Sequence, residues 1–244
     1  MAAPEEVRKF LNHPIGLPQI LKYIKWREQI TEKRRATSIQ IYADEEEKKA
    51  MDLCHQRSIQ VLADFLESLP NRAVLRALDC AGGDGRLSTS FLMKTYQCVD
   101  LFDQCPVAVK KAKEAMQGHK AFGYVDQATM QAFEWKFHYN MIFMVWCSGY
   151  LTSLQLSTFL QRAQQRLMPS LFRPTRQSPG GSFIILLDNV KNDDEELYEA
   201  KGQYIRSAKE LEEVFAQAGL IIYKASERAA MPKNFRDVKV WALY

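Results

Sequence analysis

Apolar side chains recur at helical spacing along the N-terminal part of the chain. Residues 1–36 predict two helical pieces separated by Pro14 and Pro18, and the second piece carries six Lys and Arg residues against two Glu. A further helix begins after Asp44, places apolar residues three or four positions apart, and ends before Pro70. We therefore predict an N-terminal helical extension over residues 1–70.

From Arg72 onward, short apolar runs alternate with amphipathic segments. The apolar runs predict seven strands, over residues 74–80, 97–102, 121–125, 139–147, 182–187, 220–224 and 238–244. The amphipathic segments predict helices over residues 86–94, 106–116, 152–166 and 207–218. This alternation predicts an α/β domain over residues 71–244, with a mainly parallel seven-stranded sheet and helices on both faces. The last two strands have no helix between them, which indicates a terminal antiparallel hairpin.

Composition excludes several classes of protein. The chain has 244 residues, of which 47% are hydrophobic and 25% charged, as in ordinary globular proteins. The longest apolar runs, near residues 141–147 and 183–187, are far shorter than the roughly 20 residues of a membrane-spanning helix, so we expect no membrane insertion. The formal net charge of +4 is too small by itself to indicate a nucleic-acid partner.

Cysteine and histidine usage gives no sign of a metal site. The five cysteines form no Cys-x-x-Cys pair, and none of the four histidines stands at ligand spacing. Unpaired cysteines indicate a reducing, intracellular compartment. The first ten residues, MAAPEEVRKF, lack the apolar stretch of a secretory signal. The acidic pair Glu5-Glu6 disfavours a mitochondrial presequence, although a matured mitochondrial chain would have lost one.

The clearest chemical signal lies where the first predicted strand meets the next helix. Residues 78–86 read Leu-Asp-Cys-Ala-Gly-Gly-Asp-Gly-Arg, and a glycine-rich turn of this kind lets the backbone approach a ligand closely. We interpret the following strand as ending in Cys98-Val99-Asp100, which places the Asp100 carboxylate to accept hydrogen bonds from a ribose diol. These two features together indicate a nucleoside-binding site, and a tight turn without a ligand is the alternative.

Two classes of cofactor bind to such a strand–turn–helix unit: dinucleotides and S-adenosylmethionine. Dinucleotide binding requires Gly-x-Gly-x-x-Gly, which is absent here, and the Asp84 carboxylate would repel a pyrophosphate. A sulfonium cation would instead be attracted by Asp79 and Asp84. The turn therefore favours S-adenosylmethionine.

Further motifs carry a resemblance to a known family. They are Leu78-Asp79-Cys80 through Gly85-Arg86, Val99-Asp100, Gln131-Ala132-Phe133, Trp146 with Gly149-Tyr150-Leu151-Thr152, and Asp188-Asn189. With these motifs, the chain from about Arg72 to its end resembles the class I S-adenosylmethionine-dependent methyltransferases. Within that class it is most similar to the α-N-terminal protein methyltransferases, which methylate proteins that start Xaa-Pro-Lys. The resemblance implies a Rossmann-like fold with S-adenosylmethionine as cofactor.

The resemblance also implies a role for each matching residue. The implied cofactor-binding residues are Asp79, Gly83, Gly85 and Arg86 around the turn, Asp100 at the ribose, and Gln131 near the adenine. Trp146 would bind the amino terminus of the substrate. The implied catalytic positions are Tyr150, Asp188 and Asn189.

The chain departs from the family pattern at four positions. Ala81 replaces the first loop glycine, a mild change if its φ is negative. Tyr150 replaces a histidine proposed to assist deprotonation, and tyrosine is the weaker base at neutral pH. Tyr198 and Lys201 stand where the family has aspartates that hold the substrate amine, and the Lys201 ammonium would repel a cationic amino terminus.

Two functions fit these observations. The first is S-adenosylmethionine-dependent methylation of a protein or peptide on nitrogen, of the α-N-terminal type. The alternative is a catalytically inactive methyltransferase-fold subunit that joins a larger assembly through its basic N-terminal helices. A third and less favoured hypothesis is RNA methylation guided by those helices. It predicts RNA binding that depends steeply on salt concentration. The family resemblance implies the cytoplasm or nucleus, and a mitochondrial location stays open.

Overall fold

The structure is a computed structural model that describes residues 45–69, 73–169, 181–193, 198–200, 203–233 and 235–244. The helices predicted over residues 1–36 lie outside the described residues, as do Lys201 and most of the segment between Pro169 and Gly181. The helix predicted after Asp44 is present as α1, Glu45–Glu67.

The described part of the chain contains four further helices and nine strands. The helices are α2 over residues 86–95, with a π-helical middle at Ser88–Leu92, α3 (Pro106–Met116), α4 (Ser153–Gln164) and α5 (Ala208–Gln217). The strands are β1 (Arg76–Cys80), β2 (Cys98–Asp103), β3 (Phe122–Gln127), β4 (Met141–Val145), β5 (Phe183–Lys191), β6 (Tyr198–Ala200), β7 (Gln203–Ser207), β8 (Ile222–Ala225) and β9 (Val238–Leu243). A 3₁₀ turn, Ser148–Tyr150, follows β4.

Local sequence determines where several of these helices begin. Thr152 and Ser207 each form a capping box with the residue three positions later, Gln155 and Glu210, which satisfies N–H groups at the starts of α4 and α5. Pro106 occupies the first turn of α3, where its missing N–H costs nothing.

The sheet has the strand order β3-β2-β1-β4-β5, with all of these strands parallel. β9 runs antiparallel beside β5 and pairs with β8, which confirms the predicted terminal hairpin. The strand order reverses at β1, which lies between β2 and β4. In open α/β sheets a ligand crevice forms at the carboxyl ends of the strands beside such a reversal.

The prediction of seven strands is incomplete, because β6 and β7 add a small antiparallel hairpin. This hairpin joins the sheet only where Val190 and Lys191 of β5 pair with Arg206 and Ser207 of β7. The two strands are three and five residues long. Such short runs have too little apolar alternation to be distinguished from a loop by pattern alone.

Helices cover both faces of the sheet, as predicted. The first core cluster packs α1, α2 and α3 against one face, with Leu62, Leu92 and Ala112 fully buried. The second packs α4 and α5 against the other face, with Leu160 and Phe215 fully buried. Because α1 contributes its apolar stripe to the first cluster, we expect α1 to unfold together with the sheet.

A pair of leucines on α1 tests this expectation. Leu66 is 0% exposed and Leu53 is 54% exposed on the same helix. We expect Leu66→Ala to lower the free energy of unfolding by about 2–5 kcal/mol, because it leaves a cavity in the shared core. The control Leu53→Ala should change it by less than about 0.5 kcal/mol. Urea denaturation followed by circular dichroism measures both, and a separate early transition for α1 would contradict the expectation.

Candidate functional site

The turn after β1 lies at the carboxyl edge of the sheet and has a left-handed backbone at three positions. The φ angle is +52° at Ala81, +59° at Gly83 and +81° at Gly85. A Cβ added to Gly83 would meet no atom within 4 Å, so the space beside this residue is open. A Cβ on Gly82 would lie 2.7 Å from Cγ of Asp79, so close packing requires a glycine there.

Ala81 is not the mild replacement for a glycine that a negative φ would have made it. Its φ is positive, and a left-handed backbone costs an L-residue roughly 1–2 kcal/mol. The turn therefore holds backbone strain that a glycine would not have.

Asp79 is buried directly beneath this turn. Its Oδ2 accepts a hydrogen bond from Oγ of Ser88 at 2.7 Å. Burial raises the pKa of Asp79 to about 7; the Ser88 hydrogen bond opposes this rise, and the Asp103 carboxylate adds to it. The charge beneath the turn therefore changes near neutral pH.

The carboxylate that faces the turn from β2 is Asp103. Its Oδ2 accepts a hydrogen bond from the N–H of Gly83 at 3.0 Å, and its Oδ1 accepts one from the N–H of Cys105 at 2.8 Å. Burial raises the pKa of Asp103, and these backbone donors oppose the rise. Asp103 is the last residue of β2, which is the position the ribose argument requires.

Asp100 is not at the strand end, so that part of the sequence interpretation is wrong. It is the third of six residues in β2 and is fully buried. Its carboxylate accepts hydrogen bonds from Arg76, with Nε at 2.7 Å and Nη2 at 3.1 Å, and from the N–H of Tyr124 at 3.0 Å. A Cβ on Gly123 would lie 2.0 Å from Oδ1 of Asp100, so these groups leave no room for a ligand.

Arg86, in the first turn of α2, is held by two carboxylates. Its Nε lies 3.1 Å from Oδ2 of Asp84, and its Nη1 lies 2.9 Å from Oδ1 of Asp52 on α1. Both ion pairs are partly exposed, so each contributes at most about 1 kcal/mol to stability. They hold the guanidinium beside the turn and make α1 part of the surroundings of the site.

The segment after β3 carries Gln131, which is exposed. Arg162 of α4 holds this segment through backbone carbonyls, with Nη1 at 2.8 Å from the oxygen of Gln131 and 3.3 Å from that of Met130. The ring of Phe133 stacks on Phe102 at a centroid distance of 4.0 Å. The backbone around Gln131 is therefore fixed although its side chain is free to meet a ligand.

A second group of predicted residues lies at the ends of β4 and β5. Trp146 has φ +55°, and its buried Nε1 has no hydrogen-bond partner among the described residues. Asp188 accepts hydrogen bonds from Ser148, from the N–H at 3.1 Å and from Oγ. Burial raises the pKa of Asp188, and the Ser148 hydroxyl opposes the rise. Asn189 is half-buried beside it, and Tyr150 is 46% exposed.

The β6–β7 hairpin packs against the Ser148–Tyr150 turn, a contact that the sequence analysis missed. Arg206 of β7 donates from Nη2 to the carbonyl oxygen of Leu151 at 2.6 Å and from Nη1 to that of Ser148 at 3.3 Å. A Cβ on Gly149 would lie 2.9 Å from the carbonyl oxygen of Tyr204, so the two backbones touch. No local spacing relates Arg206 to a partner 55 residues earlier.

The structure thus collects the predicted residues into groups along one edge of the sheet. Asp79, Gly83, Gly85 and Arg86 surround the β1–α2 turn, and Gln131 follows β3. Trp146, Tyr150, Asp188 and Asn189 lie at the ends of β4 and β5. Of the predicted residues, Asp100 alone lies apart from these groups. Asp103, not Asp100, stands at the end of β2, where a ribose-binding carboxylate is predicted.

The groups around the turn fit S-adenosylmethionine better than a dinucleotide. Asp79, Asp84 and Asp103 outnumber Arg86, whose guanidinium is already paired, so a pyrophosphate would meet net repulsion. A ligand carrying sulfonium and ammonium charges would meet attraction, and the open space beside Gly83 admits it. The fold and this donor set together define a class I S-adenosylmethionine-dependent methyltransferase.

Comparison with known proteins gives the family. The profile described as "AdoMet dependent proline di-methyltransferase" matches residues 45–244, and the chain belongs to this family. S-adenosylmethionine is accordingly its cofactor. The alpha N-terminal protein methyltransferase 1 of Caenorhabditis elegans is 27% identical over 78% of this chain and 79% of its own length. That of Arabidopsis thaliana is 26% identical over 69% of this chain, and the match spans 59% of its own length.

Solved structures agree with this assignment. A S-adenosylmethionine-dependent methyltransferase of Leishmania major is 25% identical, with a TM-score of 0.74 over 90% of this chain and 83% of that one. The glycopeptide N-methyltransferase MtfA, solved with S-adenosylmethionine, shares the fold alone, at 12% identity and a TM-score of 0.59 over 77% of this chain and 92% of that one. Among the described residues, no helix is long and apolar enough to cross a bilayer, and no acidic, His or Cys cluster could hold a metal ion.

The strain at Ala81 can be measured by a glycine substitution. We expect Ala81→Gly to raise the free energy of unfolding by about 0.5–1 kcal/mol, because glycine adopts a positive φ without the Cβ penalty. The control is Ala77→Gly within β1, where the same substitution should destabilise by about 0.5–1 kcal/mol or more. Chemical denaturation measures both, and equal destabilisation by the two variants would contradict the strain.

Asp79 gives a pH dependence with a defined sign. Its folded-state pKa of about 7 lies above the ordinary 3.8, so the native state binds this proton more tightly than the unfolded state. The resulting stability is fully present below the ordinary value and is lost as pH rises through about 7. We expect Asp79→Asn to gain stability relative to the native sequence between about pH 5 and pH 8. Urea denaturation across that range measures the difference, and a constant difference would refute the assignment.

Proposed function

We propose that this chain is a S-adenosylmethionine-dependent methyltransferase that acts on nitrogen at the amino terminus of a protein. The observation that carries the proposal is the juxtaposition of two groups at one sheet edge. A carboxylate-rich turn lies at the ends of β1 and β2, and an aromatic and amide group lies at the ends of β4 and β5. The relatives named alpha N-terminal protein methyltransferases support the same acceptor.

On the cofactor side, we assign Gly83, Gly85 and Arg86 to the methionine end, with Asp79 beneath them. The ribose diol is assigned to Asp103 in place of Asp100. Gln131 remains the residue for the adenine, since its backbone is held by Arg162. When bound, S-adenosylmethionine supplies an electrophilic methyl group on a sulfonium.

On the acceptor side we assign Trp146, whose buried Nε1–H has no partner among the described residues, and Asn189, which carries a carboxamide. Both would bind the backbone of the substrate and orient its amine towards the cofactor. Such orientation of the two reactants can supply a large part of the rate gain of an in-line transfer. Asp188 would contribute indirectly by holding Ser148 in place, because its carboxylate accepts hydrogen bonds from that residue. The hydroxyl of the exposed Tyr150 would orient the amine rather than remove its proton, because tyrosine is a weak base at neutral pH.

The acceptor sequence of this chain would differ from Xaa-Pro-Lys. Tyr198 and Lys201 stand where the resemblance implies aspartates that hold the substrate amine. A lysine there repels the cationic amino terminus and disfavours a further positive charge near the start of the peptide. We therefore place the chain among protein methyltransferases without assigning it the basic third residue of that motif.

The alternative function is that of an inactive subunit in a larger assembly, contacted through the basic helices predicted over residues 1–36. The same helices would guide RNA in a less favoured third function. We propose an intracellular location in the cytoplasm or nucleus, with the mitochondrion as the alternative. The Tyr150, Tyr198 and Lys201 substitutions support the inactive subunit, because the resemblance assigns all three positions to the acceptor side.

Cofactor binding is tested by comparing two aspartates of the same strand. We expect Asp103→Asn to weaken S-adenosylmethionine binding about 10- to 100-fold, since a hydrogen bond to a charged group contributes about 1.5–3 kcal/mol. The matched control Asp100→Asn should lower the free energy of unfolding by about 1–3 kcal/mol and spare the affinity, because its partner is Arg76. Calorimetric titration measures the affinity for S-adenosylmethionine. Weaker binding by Asp100→Asn, with unchanged binding by Asp103→Asn, would contradict the assignment.

Turnover is tested with radiolabelled S-adenosylmethionine and peptides that carry free amino termini. The peptides should vary at the third residue between basic, neutral and acidic side chains. Otherwise identical peptides with acetylated amino termini are the control. Transfer to the free amino termini alone supports the proposed function, whereas cofactor binding without transfer to any of them supports the inactive subunit.

A further inference from the structure

The turn that presents Tyr150 is held from two sides by groups that belong to different strands. On one side, Asp188 of β5 accepts hydrogen bonds from the N–H and the hydroxyl of Ser148. On the other side, Arg206 of β7 donates to the carbonyl oxygens of Ser148 and Leu151. The Ser148–Tyr150 turn is therefore fixed at both its first residue and the residue that follows it.

The Arg206 side chain is well suited to this task. It is 4% exposed, so water competes little with its hydrogen bonds. Its planar guanidinium reaches two carbonyl oxygens from one fork, which a lysine ammonium cannot reproduce with the same geometry. Burial raises the pKa of Asp188, and the positive charge of Arg206 is among the groups that oppose this rise.

The hairpin also packs closely against the backbone of the turn. Gly149 lies so near Tyr204 that a Cβ would come within 2.9 Å of the Tyr204 carbonyl oxygen. The guanidinium of Arg206 also lies 5.3 Å from the centroid of the Tyr204 ring. The hairpin thus contacts the turn through both its backbone and Arg206.

We propose that Arg206 is a positioning residue for the methyl-acceptor site, acting through the Ser148–Tyr150 turn. This rests on the proposed function, in which Tyr150 and Asp188 belong to the acceptor side. In this role Arg206 acts on the turn and is not assigned to bind the cofactor or the acceptor. Loss of Arg206 misplaces the turn and so lowers the rate of methyl transfer. The affinity for S-adenosylmethionine is retained, because β1 and β2 hold the cofactor side.

The test compares Arg206→Ala and Arg206→Lys with Arg57→Ala in the full chain. Arg57 of α1 also donates to a carbonyl oxygen, that of Ala230 at 3.3 Å, and it belongs to no part of the site. We expect both Arg206 variants to lower kcat about 10- to 100-fold, with KM changed less, because small misplacements of reacting groups cost that much. Affinity for S-adenosylmethionine, measured by calorimetry, should stay unchanged in all three variants.

Guanidinium ion provides a readout that general destabilisation would not give. Millimolar guanidinium chloride should restore part of the kcat of Arg206→Ala by filling the vacated position, and it should leave Arg57→Ala and the native sequence unaffected. Unchanged kcat in Arg206→Ala, or a loss of cofactor affinity that matches the loss of kcat, would overturn the proposal.

Amide hydrogen exchange separates failure of this proposal from failure of the proposed function. If the native chain transfers no methyl group, the proposed function fails, and exchange at Tyr150 and Leu151 still reports on the turn. Faster exchange at these two amides in Arg206→Ala, with cofactor affinity retained, supports the positioning role. Exchange as slow as in the native chain would contradict it.

Discussion

The parallel pairing of β1 with β2 and β4 determines where the chemical groups of this site can lie. Leu78 of β1 stands opposite Asp100 on one side and Ile142 on the other, so all three strands end at the same edge. Helices bury both faces of the sheet in the described part of the chain, so the segments that follow these strands can meet a ligand at that edge. The turn after β1, the end of β2 and the residues after β4 therefore meet there.

Charge is distributed unequally between the two halves of this edge. Carboxylates surround the turn after β1, and the guanidinium of Arg86 is already shared between Asp52 and Asp84. The half that we assign to the methyl acceptor contains the indole N–H of Trp146 and the carboxamide of Asn189. Its buried carboxylate, Asp188, accepts hydrogen bonds from Ser148. This division suits a cationic cofactor on one side and the backbone of a peptide on the other.

The two halves also differ in how the fold supports them. The cofactor half rests on β1 and β2 and on helices whose starts are determined locally. The acceptor half depends on Arg206, which reaches across from a hairpin joined to the sheet at only two positions of β5. Two departures from the family pattern can be placed within these halves: Ala81 lies in the turn after β1, and Tyr150 lies in the turn that Arg206 contacts.

Periodicity and turn residues by themselves determined the seven main strands, the four helices after β1, the terminal hairpin and the cofactor class, because these depend on local alternation and on short glycine motifs. Tertiary structure decided which aspartate of β2 meets the turn. Asp100 and Asp103 share one strand, and only pairing with Arg76 and Gly83 separates their roles. Tertiary packing likewise joins Arg206 to Ser148, since this contact links segments that are distant in sequence.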